Sequence, residues 1–124
     1  MGATTFEAHI VTDEPLAVAF NATVEEAAYI HGHGGYTGTI AEKSSVVEFH
    51  LPEGVTPDDA LQALSDSYDV WTNGAMIPAK SPEWAGRCGP HHWETVRRAY
   101  NDKWGPAVAI KTTNGWLFCG WASE

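Results

Sequence analysis

Residues 31 to 43 read His31-Gly-His33-Gly-Gly-Tyr36-Thr37-Gly-Thr39-Ile-Ala-Glu-Lys43 and concentrate two histidines, a tyrosine, two threonines and a lysine among four glycines. Glycine carries an entropic cost and is retained where main chain must approach something closely or turn sharply. Backbone N–H groups here, helped by Tyr36, Thr37, Thr39 and Lys43, can cradle an anion. The segment sits between a predicted helix and a predicted strand, so it follows a helix C-terminus and lacks the favourable dipole of a phosphate loop. It reads more simply as a structural turn, with a protein-binding loop as a further alternative.

Imidazole and thiol donors form a second set. His31 and His33 make an H-x-H pair, and Cys88-Gly-Pro-His91-His92 follows after a gap of 54 residues between His33 and Cys88. Structural zinc sites use two close pairs at recurrent distances, which this gap does not match, so neither a metal nor another cofactor is expected. Cys88 is also a candidate nucleophile: at a helix N-terminus beside His91 or His92 its thiol pKa would fall. Six tryptophans complete the inventory. Trp93, Trp104, Trp116 and Trp121 fall on predicted elements and are assigned to the core. Trp71 and Trp84 fall in a loop, where their faces are free to stack on a purine-like ring.

Elements that position these groups follow from periodicity. Phe6, Ala8 and Ile10 alternate with polar neighbours from Thr4 to Val11, which predicts a strand. Thr12-Asp-Glu-Pro15 opens a helix with Leu16, Phe20, Val24, Ala27 and His31 along one face, closed by Gly32, with a break near Asn21 as the alternative. Val47, Phe49 and Leu51 mark a second strand, and Thr56-Pro57-Asp58-Asp59 starts a second helix burying Ala60, Leu61, Leu64 and Tyr68. Periodicity fades from Ser65 to Pro90, so that stretch reads as a long binding loop or lid. A third helix runs from Pro90 to Lys103 with Trp93, Val96, Tyr100 and Trp104 on one stripe, stopped by Gly105-Pro106. Two strands flanking Thr113-Asn114-Gly115 form a hairpin whose Asn-Gly suits two positive φ angles. The order β-α-β-α-loop-α-β-β predicts one α+β domain over residues 1–124, a mainly antiparallel sheet with two to three helices on one face.

At 124 residues the chain is long enough for one core without staples, and Cys88 and Cys119 are expected as free thiols. No apolar run reaches the roughly 18 residues a membrane helix needs, and no basic-then-apolar signal pattern opens the chain. The net charge of −9 is uneven: twelve acids against Lys43 give −11 over residues 1–70, and six bases against four acids give +2 over residues 71–124. Such acidity repels nucleic acid, so no direct binding to it is expected, and it suits solubility or a basic protein partner.

Two stretches, residues 26–43 and residues 103–110 together with Gly115-Trp-Leu-Phe-Cys-Gly-Trp-Ala122, resemble small accessory proteins encoded by bacteriophages and prophages, those of actinobacteria above all. The resemblance implies a context, the cytoplasm of a bacterial host, and a habit of binding a host factor or sequestering a nucleotide-like signal. No activity comes with it residue by residue. The expectation is therefore a non-enzymatic binding protein using His31, His33, Tyr36, Thr37, Thr39, Lys43, Trp71 and Trp84, with a host protein or a nucleotide-like ligand as partner. The alternatives are a metal-dependent or cysteine hydrolase built on His33, Cys88, His91 and His92, and an acidic mimic of DNA that blocks a host DNA-binding protein.

Overall fold

The computed structural model describes residues 2–32, 37–68, 70–77 and 81–124, without the side chains of residues 70–72, 76, 77 and 90. Its centre is a four-stranded mixed sheet in the order β1-β6-β5-β2, from β1 (Ala3–Val11), β2 (Val46–Phe49), β5 (Ala107–Lys111) and β6 (Gly115–Ser123). β6 pairs antiparallel with β1 and β5, while β2 lies parallel to β5. A parallel neighbour requires a crossover, and the helices α2 (Pro57–Ser65) and α3 (Pro90–Asn101) lie in it.

Both faces of the central strands β5 and β6 are dry. On one, Val108, Ile110, Leu117 and Cys119 pack under Ala60 and Leu64 of α2 and Trp93, Val96 and Tyr100 of α3. On the other, Ala107, Ala109, Phe118 and Ala122 meet Ala19 and Phe20 of α1 (Leu16–His31) and Ile40 of a short 3-10 turn. α2 and α3 thus share the predicted single face, and α1 is displaced to the opposite one. The reason lies in β5, where Ala107 to Ile110 is an unbroken apolar run with no face for water, the mark of a strand covered on both sides. The small alanines face α1 and admit bulky rings beside them: Phe20 meets Phe118 edge-on at 5.8 Å between centroids.

Local signals act as their chemistry dictates. Thr56 and Asp59 close a full capping box at the start of α2. α1 runs without a break at Asn21, and Pro15 rather than Thr12 sits at its N-cap, so Asp13 and Glu14 precede the helix. His31, expected on its buried face, is exposed. Tyr68 is 58 % exposed because α2 ends at Ser65, before the helical spacing reaches it. Trp104 is 65 % exposed for the same reason: α3 stops at Asn101, and Asp102 turns extended, which takes the tryptophan off the stripe.

The stretch from Ser65 to Pro90 is more ordered than its sequence suggests. It contains a two-stranded hairpin, β3 (Val70–Thr72) with β4 (Ala75–Ile77), and a 3-10 turn at Glu83–Gly86. Asn73 and Gly74, both at positive φ, make the tight turn that an Asn-Gly pair favours. At the other hairpin, neither Asn114 nor Gly115 has positive φ. Lys111 pairs with Trp116, and the Thr112 amide donates to the Gly115 carbonyl at 3.0 Å.

Gly115 serves a different purpose. A Cβ on it would sit 1.8 Å from the Ile10 carbonyl oxygen, so β1 passes where a side chain would be. Gly115→Ala should therefore lower stability by ~1–3 kcal/mol or more, the range for overpacking into rigid surroundings. The measurement is thermal unfolding beside Gly86→Ala, where a Cβ meets nothing. Equal melting temperatures for the two variants would refute the close approach.

Candidate functional site

An open cleft of about 800 Å3 lies between α3, the chain just after α2, and the far end of β6. Its lining is Ser67, Tyr68, Arg97, Arg98, Asn101, Asp102 and Trp121. α3 supplies Arg97, Arg98 and Asn101 from consecutive turns, Asp102 follows just past its end, and β6 presents Trp121 on the same sheet face as Leu117 and Cys119. Tyr68 is exposed because its helix has already ended, which leaves an aromatic ring at the rim.

Hydrogen bonds fix the walls. Arg97 grips Glu94 through Nε and Nη2, both at 2.8 Å, and donates from Nη1 to the Ser67 carbonyl at 3.1 Å. Arg98 Nε reaches the same Glu94 at 2.9 Å, and three quarters of its side chain remains in solvent. The Arg97 hydrogen bond, with Arg98 adding to it, holds the Glu94 carboxyl below its usual range despite some desolvation. Ser67, almost wholly buried, donates its hydroxyl to the Leu64 carbonyl and accepts from Asn101 Nδ2 at 2.8 Å. The cleft therefore combines a rigid floor, two guanidinium groups, one neutralising carboxylate and two aromatic faces. Asp102 adds a second acid at the edge, with one oxygen bound to the Trp104 amide at 2.9 Å.

The glycine-rich segment is used differently. Thr37 donates from its amide and its hydroxyl to Glu42, at 3.1 and 2.7 Å, and shares a 2.8 Å bond with Thr39. Thr39 also caps the 3-10 turn Ile40–Glu42 by accepting from the Ala41 amide. Gly38 lies at φ +69 with its amide on the Ser123 carbonyl at 2.7 Å, where a Cβ would strike Thr4. Lys43 is buried and donates to the carbonyls of Asp102, Lys103 and Gly105 at 3.0–3.4 Å, tying off the end of α3. Burial pushes its ammonium pKa down and the nearby Asp102 charge pulls it back up. Thr37, Thr39 and Lys43 thus hold internal bonds in this structure. His33 and Tyr36 lie outside the described residues, as does the side chain of Trp71. Trp84 packs at 5.9 Å from Phe49 and 5.6 Å from Trp93, partly buried against the core.

The thiol and imidazole set does not converge. Among the described residues no three metal-ligating side chains cluster. Cys88 donates to the Ala85 carbonyl at 3.1 Å, and desolvation pushes its pKa up, the opposite of the activation expected at a helix start. His91 is exposed, and His92 turns to β2, where its Nε2 accepts from the His50 amide at 3.0 Å. The His50 and His92 rings lie 5.4 Å apart, and His50 Nδ1 is 3.4 Å from Glu48.

No family model, curated protein or solved structure matches this chain, so geometry carries the functional argument. The cleft has a weak sequence signal. Glu94, Arg97 and Arg98 stand at helical i, i+3 and i+4 spacing, and Tyr68 stands four residues after Leu64, but the third wall, Trp121, is contributed by the end of β6.

The His50–His92 contact predicts an acid limb in stability. Burial first, then the His50 charge, lowers the His92 pKa from its ordinary 6.5, against a smaller opposing pull from Glu48. The folded state then binds fewer protons than the unfolded one, so this contribution is complete above pH ~6.5 and is lost as pH falls through the folded value. His92→Gln should flatten that part of the profile. Denaturant midpoints between pH 7.5 and 5 check it, and a wild-type slope that His92→Gln leaves intact would assign the acid limb to other groups.

Proposed function

We propose that this chain is a binding protein that acts by occupancy and holds a planar-ringed, anionic, nucleotide-like ligand in the cleft between α3 and β6. One observation carries the reading: Tyr68 and Trp121 share a concave surface with Arg98, whose largely exposed guanidinium is steadied by Glu94, while Arg97 is bonded to Glu94 and Ser67 as part of the wall, which joins stacking faces to a guanidinium donor in one site. Aromatic side chains accept base rings with little regard to sequence, and Arg presents a planar fork to phosphate or carboxylate oxygens. Glu94 and Asp102 balance the two guanidinium charges, so the site favours a ligand with few charges over a polyanion. The cleft hydroxyl of Ser67 is spent on internal bonds, which supports retention of a ligand over attack upon it. In this reading the phage-type resemblance supplies the setting, sequestration of a signal inside a bacterial host cell.

A second reading rests on a different surface. α1 exposes Val18, Tyr29 and Ile30, at 49, 90 and 64 %, beside the exposed Glu25 and Glu26. An apolar patch edged with acids suits a basic host protein. Asp58 and Asp59 do not extend it, because α2 lies on the opposite face of the sheet and Asp59 belongs to the capping box.

The cleft is tested by calorimetric titration with a panel of purine mononucleotides and cyclic dinucleotides. Tyr68→Ala should weaken binding by the ~1–3 kcal/mol of a lost stacking face, roughly five- to 150-fold. Arg98→Gln should cost about tenfold or more through the lost charge-assisted contact. Both residues are exposed, so folding should be unaffected. Nucleotide affinity that is absent in the wild type, or unaltered in both variants, would return the cleft to a surface furrow.

A further inference from the structure

β1 is an edge strand nine residues long, and the way it pairs leaves one row of its backbone without a partner among the described residues. Gly2 and Glu124 exchange amide bonds at 3.3 and 3.2 Å, and the Thr12 amide donates to Asn114 at 3.0 Å. In antiparallel pairing the bonded positions alternate, so the even-numbered residues of β1 turn their amides and carbonyls to β6. Those of Thr5, Glu7, His9 and Val11 point outward along the free edge. The same four residues present exposed side chains, since α3 packs over β2, β5 and β6 and stops short of β1. A long edge that no described residue pairs is a template for another strand. The opposite edge, β2, is four residues long.

We propose that the strand completing this edge is β1 of a second copy, paired antiparallel about Ala8 to give one continuous eight-stranded sheet. Self-complementary pairing selects both the occupant and the register. Outward backbone groups demand that odd residues face odd residues. Centring on Glu7 sets Glu7 against its own copy, and like charges directly opposed are destabilising. Centring on His9 sets Glu7 against Val11. Centring on Ala8 puts Glu7 opposite His9 twice, once on each side of the dyad, with Thr5 opposite Val11. On the other face the same register sets Phe6 opposite Ile10, extending the apolar layer under α1. The interface is isologous and closes on itself, so it stops at two chains.

The test is sedimentation equilibrium of the full chain at 150 mM salt, which screens the −9 charge each copy carries. The wild type should associate to a dimer. Glu7→Lys should raise the dissociation constant roughly tenfold, from two cross-strand pairs of up to ~1 kcal/mol each turned unfavourable. Glu7→Lys combined with His9→Glu should restore dimerisation by reversing the pair. His9→Pro should abolish it while sparing the β6 ladder, because the lost N–H faces outward. Circular dichroism confirms that each variant is folded. A wild type that stays monomeric to 100 µM would overturn the proposal. So would a dissociation constant that neither Glu7→Lys nor His9→Pro changes, or failure of the double variant to recover. Capture of an extended peptide by a monomer, competed by no second copy, would assign the edge to a different partner.

Discussion

The constraint on which the molecule depends is the double-sided burial of β5 and β6. Ala107–Ile110 and Leu117–Cys119 exclude water from both faces, so neither strand can be stable until helices cover each side. That requirement dictates the layout. α1 must reach the alanine face, α2 and α3 must reach the valine and leucine face, and the crossover between β2 and β5 must be long enough to carry both helices. Lys43 then locks the layers together, because its buried ammonium is satisfied only if the turn before β2 and the end of α3 meet.

Much of the fold was legible in the sequence where a single local force decided the outcome. The alternation of β1, the capping box of Thr56 and Asp59, and the apolar strands around residue 113 each depend on neighbours a few residues away. Misreadings arose where helix length set the result. Trp104 and Tyr68 continue a helical stripe on paper, but the helices end three residues earlier in each case, and a ring just past a helix end points to solvent. The Asn73-Gly74 turn was readable by the same rule applied to Asn114-Gly115, and its three-residue strands were too short to show alternation.

The candidate site was scarcely legible, because it belongs to no single segment. Ser67 and Tyr68 leave α2, Arg97 and Arg98 sit mid-helix, and Trp121 comes from the last strand. By contrast, the glycine-rich segment drew attention through composition, and its described polar groups turn out to bind the chain itself. Gly38, Thr39 and Lys43 are there to bring the 3-10 turn against the chain ends and α3. Residue types chosen for close main-chain packing and those chosen for close ligand approach are the same, so only geometry separates the two.

The pairing of β1 with β6 joins residues 104 to 120 positions apart, from Val11 with Gly115 to Ala3 with Ser123. Contacts this distant are slow to form, because the loop-closure entropy must be met before they return any stabilisation. Until that last strand arrives, β1 is unpaired on both edges and its Phe6, Ala8 and Ile10 have no layer to join. The sheet can be nucleated by β5 and β6, whose hairpin is local, but it is completed only by a long-range event. Refolding is thus the stage at which this strand is most open to off-pathway pairing.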